Sequence, residues 1–308
     1  GFDSGKSITT GTKNTLIGNE TGDALTTGNT NVAVGNRALS TDTLGDHSVA
    51  IGDGALQTQN FTSSTDNYNI AIGSQAGNAI TTGVNNTFIG GLAGDAQTDA
   101  DNNTAVGYEA LSTNTLGSAS TAIGYRALKA QNYSSATDAL NVAVGNAAGS
   151  AVTTGTKNVL IGNLTGDGIT TGDRNTAVGY RTLSGAVDDG QYNTCVGSDV
   201  GLVTTGDQNT FVGAYDPSTG GSGAEITSGS KNTILGSYNG NQSSLDIRTA
   251  DNYVVLSDGD GNVAAYRIGN SGGRQWHLIA DADSDVGFAI KNQTSANPYG
   301  VAIQFTNE

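Results

Sequence analysis

Cysteine occurs once, at Cys195, so no disulfide within the chain can staple a fold, and the redox compartment is not readable from thiols. Methionine is absent and no signal peptide is visible; the chain opens in mid-repeat and reads as a fragment of something longer. Nothing approaches the run of about 18–20 apolar residues that a membrane helix needs, so no membrane insertion is expected. Charged residues make up only 13%, and they sum to −15. That sign argues against binding nucleic acid through its phosphates. An acidic surface of this kind instead keeps a large extracellular protein soluble. Only two histidines are present, His47 and His277, and neither stands in a Ser or Cys nucleophile motif. No catalytic residue, cofactor or metal is therefore expected, and the chain is not read as an enzyme.

Glycine, by contrast, occurs 46 times. With abundant Asn, Thr, Ser and Asp, such a composition alone resembles disorder. Periodicity overrides it. A five-residue phrase returns thirteen times, from Asn14-Thr15-Leu16-Ile17-Gly18 to Asn232-Thr233-Ile234-Leu235-Gly236. Counting from Gly1, the closing glycines are spaced by 17, 17, 17, 21, 17, 17, 17, 21, 17, 17, 18, 16 and 23 residues. A fixed period of this size predicts stacked coils, a β-solenoid. Glycine every few residues excludes helices of ordinary length.

Within the phrase, the residues flanking the centre are Thr, Val or Ile in nearly every copy, as in Val49 and Ile51 or Thr121 and Ile123. Side chains alternate along a strand, so these two share one face and the middle residue takes the other. Branched flanking residues suit the filling of a roll, which leaves the middle residue facing outward. That residue is never charged, and a strand apolar on both faces is normally covered on both. Ala33, Ala50, Ala71, Ala105, Ala122, Ala143, Ala177 and Cys195 are accordingly expected to meet another chain or another wall.

Between phrases run two kinds of coil. One carries a Gly–x–x–apolar–Thr–Thr–Gly segment, as in Gly22 to Gly28, and the other an Ala-Leu pair, as in Ala38-Leu39. Two coils of the first kind and then two of the second make a super-repeat of 72 residues, so that Ala110-Leu111-Ser112-Thr113 echoes Ala38-Leu39-Ser40-Thr41. Four-residue insertions recur at Asn60–Thr65 and Asn132–Thr137 and are expected as loops on one face. The paired threonines are adjacent, not alternating, which favours a turn-and-ladder role over an ice-binding face. After Gly240 the repeat stops and ordinary strands are expected at 245–248, 253–256, 263–268, 276–280, 287–291 and 301–305, with Asp258-Gly259-Asp260-Gly261-Asn262 as a hairpin turn. The spacing of Asp258, Asp260 and Asn262 is that of a calcium loop's start, but the later Glu is missing. The expected organisation is a repeat shaft over 1–240 and a small C-terminal β module over 241–308, a tip or a connector.

Ser48-Val49-Ala50-Ile51-Gly52 and Ser120-Thr121-Ala122-Ile123-Gly124 resemble the head repeats of YadA-type trimeric autotransporter adhesins. Asn103 through Thr115, and the closing segment Lys231 through Asn262, are similar to repeats of bacteriophage tail fibres. The resemblance implies an all-β, left-handed parallel β-roll, assembled as a homotrimeric fibre whose inter-chain axis those middle residues would line. It further implies an extracellular place on a virion, or alternatively a bacterial cell surface, and attachment to a host glycan or protein receptor. A glycan-cleaving tailspike is the enzymatic rival, but no carboxylate pair is singled out. Receptor-contact candidates are Phe61 and Tyr133 in the insertions and Tyr266, Trp276, His277 and Tyr299 in the terminal module, since aromatics dominate sugar and protein contacts. For each, a place in a β core is the competing expectation.

Overall fold

Three residues of extended backbone are all that most coils give to the sheet. Strands such as Thr15–Ile17, Val32–Val34, Val49–Ile51, Ile70–Ile72 and Thr121–Ile123 stack in parallel, middle residue on middle residue: Ala33 on Ala50, Ala50 on Ala71, Ala122 on Ala143. This computed structural model describes residues 1–185, 189–215, 217, 220–269 and 275–279. The chain is an all-β parallel solenoid of about 14 turns, and no helix occurs among the described residues. Fourteen parallel strands form one sheet, which ends in two antiparallel strands, Val263–Ile268 and Gln275–Leu278.

Closing glycines sit where the chain leaves each strand. At Gly124 φ is 137°, and a Cβ there would collide with the carbonyl of Gly145 one coil on. Only glycine permits both the angle and the approach. Other corners use left-handed residues with side chains, such as His47 at φ 66° and Asn85 at φ 59°. Each costs local strain, and each is held by a bond between coils: His47 N–H to Asn29 O at 3.1 Å, Asn85 N–H to Asn67 O at 2.7 Å.

The asparagine opening the phrase points inward and repeats one bonding pattern. Asn103 N–H donates to Asn86 Oδ1 at 2.9 Å, and Asn103 Nδ2 donates to Gly117 O at 2.8 Å. Each buried amide thus satisfies one group below and one beyond. Serine breaks the ladder at Ser48 and Ser120, where a glutamine repairs it. Gln59 Nε2 donates to Ser48 Oγ at 2.8 Å and its Oε1 accepts from Asn69 Nδ2 at 2.9 Å; Gln131 does the same for Ser120 and Asn141. The threonine ladder is also present: Thr9, Thr26 and Thr153 donate through Oγ1 to the carbonyls of Thr26, Thr43 and Thr170 at 3.0–3.1 Å.

Volume inside the coil is shared between the middle residue and its neighbours above and below. Leu16 lies between Gly5 and Gly22, Phe88 between Gly77 and Gly94, Leu160 between Gly149 and Gly166. A Cβ on Gly94 would stand 2.6 Å from the Phe88 ring, and one on Gly77 2.7 Å. Where the corner residue is Leu39, Leu56, Leu111 or Leu128, the middle residue beside it is alanine, and all are fully buried. One large side chain fills each level, from either wall.

Because the 72-residue unit repeats these levels, removing residues 36–107 joins Gly35 to Tyr108 with every partner replaced by its equivalent. Ser120 takes the place of Ser48, Gly117 that of Gly45 and Leu111 that of Leu39. The product should be a soluble, cooperative solenoid shorter by four coils, roughly 19 Å at the strand spacing. Removing eight residues inside one coil should abolish it. Scattering and thermal melts check both, and aggregation of the large deletion beside folding of the small one overturns the repeat.

The parallel ladder runs beyond Gly240. Thr233–Leu235 pairs with Tyr253–Ser257, placing Val255 in the buried column under Ile234. The hairpin over 258–262 forms as expected, but the expected strands at 287–291 and 301–305 lie outside the described residues.

Candidate functional site: the outward face of the sheet

Alternation along the triplet decides which side chains leave the coil. The middle residues go in: Ala33, Ala50, Ala71, Ala105, Ala122, Ala143, Ala177 and Cys195 have no exposed surface within a single chain. The expectation that they line an inter-chain axis is therefore corrected. Their small size makes room for the leucines of the same level, not for a neighbouring chain, and burial pushes the Cys195 thiol up. The flanking residues go out. Ile123 is 39% exposed, and Ile51, Ile72, Ile89, Ile161, Val212, Leu235 and Leu256 are exposed in the same column.

This outward face is a strip three residues wide. It carries two outward positions on each of fourteen parallel strands, all Thr, Val, Ile or Leu, without one charge. Parallel sheets ordinarily have both faces covered. Here the inner face is covered by the coil itself and the outer face, in a single chain, by none of the described residues.

Charged and aromatic groups gather at the corners bordering the strip. Tyr108 and Tyr125 stack on successive coils with centroids 5.9 Å apart, and the Arg126 guanidinium lies 4.9 Å from the Tyr125 centroid. Glu109 accepts from Lys129 Nζ at 2.6 Å and Arg126 Nε at 2.8 Å, and these bonds hold its carboxyl down at about 2. On the opposite border His47 stacks on Tyr68 at 5.1 Å, with Asp66 Oδ1 3.2 Å from its Nδ1.

The aromatic receptor-contact candidates separate. Phe61 is 5% and Tyr133 7% exposed, so neither presents a contact surface, which corrects that expectation. Each turns inward as the anchor of its insertion. Tyr133 packs where a Cβ on Gly117 would stand 2.7 Å away, and its hydroxyl donates to Gly155 O at 2.8 Å. What the insertions expose is small and mostly polar: Thr62 to Ser64, and Ser134 to Ala136. Tyr266 and His277 stack on each other at 4.6 Å, and Tyr253 stacks on Tyr266 at 6.4 Å, on the inward side of the last strands. Trp276 is exposed. Tyr299 lies outside the described residues.

Asp258 does not offer a free carboxylate. Its Oδ1 accepts from the backbone of Asp260 and Asn262 at 3.0 and 2.8 Å, and Oδ2 from Asn262 Nδ2 at 3.1 Å. The loop spends its acceptors on its own turn. Comparison with family models, with curated proteins and with solved structures returns no match.

Proposed function

We propose that this chain forms the shaft of a homotrimeric fibre whose role is attachment to a host surface, as in the phage tail fibres and bacterial adhesins its repeats resemble. The observation that carries this reading is the uncharged outward face. A partner for it must repeat at the strand spacing of about 4.8 Å over roughly 60 Å. Another copy of the same chain meets that demand at every level. The strip offers about 600 Å² per chain before its corners are counted, close to the roughly 800 Å² per partner of a standard interface. Three is the number the resemblance implies. Stiffness and reach then come from the stacked coils, while the insertion loops and corner columns stay outside for a host glycan or protein. The fibre works outside the cell, on a virion or, as the alternative, on a bacterial surface.

Light scattering tests the assembly. The parent should have three times the 30.9 kDa chain mass. Ile123→Asp with Ile161→Asp should leave a folded, soluble monomer, because both aspartates stay in water unless chains pack there. A monomeric parent, or a double variant that stays trimeric, overturns the seam; a dimer overturns the number alone. Attachment is tested separately, by binding of the labelled protein to bacterial cells and arrayed glycans. Absence of binding to all of them counts against adhesion.

A further inference from the structure

Two exposed apolar side chains remain at the C-terminal end of the described sheet. Trp276 is 55% and Leu278 63% exposed, more than most of the strip. Their position in the register is specific. Val254 pairs with Arg267 and Arg267 with Trp276; Leu256 pairs with Ala265 and Ala265 with Leu278. Cross-strand partners share a face, so Trp276 and Leu278 extend the two outward columns that begin at Thr15 and Ile17. The change from parallel to antiparallel pairing does not interrupt that face.

The other face of these strands is already occupied. Val255 belongs to the core column, and Tyr253, Tyr266 and His277 stack across the three strands on that same side. Among the described residues, the stacked aromatic core therefore lies on the face opposite Trp276. Arg267 is the one charged residue on the outward face of all sixteen strands, and it sits beside Trp276. An indole suits such a rim, its body apolar and its N–H able to reach water or an acceptor.

We infer that Trp276 and Leu278 close the inter-chain seam at this end, packing against the same residues of further copies of this chain rather than against a receptor. This rests on the outward strip being the seam. The occupant is a further copy because the terminal pair continues the strip's own columns, and a chain seated on the strip carries its own pair to the same height.

The protein holds a single tryptophan, so its emission reports this one site without labelling. In the assembled parent, Trp276 should emit at short wavelength and be quenched by iodide severalfold less than a free tryptophan amide. In Ile123→Asp/Ile161→Asp, once monomeric, it should shift to long wavelength and be quenched freely. Trp276→Asp with Leu278→Asp should dissociate severalfold faster on dilution while keeping the solenoid's circular dichroism. An assembled parent whose tryptophan is quenched freely overturns this inference and leaves the seam standing. A tryptophan equally shielded in the monomeric variant overturns it too, since its own chain then covers it. A monomeric parent removes the seam and the inference with it.

Discussion

Phe88→Ala should destabilise the solenoid by about 3–5 kcal/mol, the range for emptying a buried phenylalanine site. The ring is fully buried and spans a level whose corners are Gly77 and Gly94, so nothing can collapse into its place. Gly94→Leu alone should also destabilise, by roughly 1–3 kcal/mol or more, because its Cβ would press on the same ring. Left-handed backbone is not the obstacle: Gly94 has φ 57°, and Leu111 and Leu39 hold φ 52° and 54° at the equivalent corner. Together the two substitutions should recover to within about 1.5 kcal/mol of the parent, as a volume-conserving swap does. The double variant rebuilds the Gly22, Ala33, Leu39 arrangement found elsewhere in the chain, and Gln97 already supplies the polar residue that accompanies a corner leucine. Thermal melts of the four proteins check this. Additive losses in the double variant would mean that the level is not one shared volume.

The coil period and the 72-residue super-repeat stand openly in the spacing of glycines, because each closing glycine answers a steric demand no other residue meets. Strand positions follow from the same count, and Val263–Ile268 is legible to the residue. Which way each triplet faces is another matter. Both faces of Thr121-Ala122-Ile123 are free of charge, the strand is three residues long, and left-handed corners erase any longer alternation. Bulk then points the wrong way, since branched residues suggest a filled core and alanine a close approach between chains. The deciding signal lies elsewhere in the sequence: Leu16, Phe88 and Leu160 occur only between two glycine corners, whereas alanine accompanies a corner leucine. That compensation makes sense only if the middle residue and the corner share the interior. Phe61 and Tyr133 mislead for a related reason. An insertion in a solenoid does make a loop, but a loop of this length needs an anchor, and its one large apolar residue supplies it.

The same parity gives adjacent substitutions opposite consequences, and Ala122→Asp with Ala143→Asp should prevent the coils from folding at all. Ala122 shares the buried core with Leu111 and Leu128, with Ala143 its partner on the next strand. Arg126 and Lys129, the cations next along the chain, are engaged by Glu109, and the polar ladder of Asn103 and Ser120 already uses its groups within itself. Two carboxyls there must either stay charged in an apolar interior or take up protons at neutral pH, and either course costs several kcal/mol. Against a total stability of about 5–15 kcal/mol, that loss is decisive. Far-UV circular dichroism should lose its strand signal and limited proteolysis should cut throughout the shaft. Alanine-to-serine at both positions should fold with a loss of about 1–3 kcal/mol at each buried, unpartnered hydroxyl. Ile123→Asp, one residue along, should keep both the strand signal and the protease resistance. An Ala122→Asp/Ala143→Asp protein that stays folded and merely falls apart into single chains would reverse the assignment, putting the middle residues outside and the branched ones in.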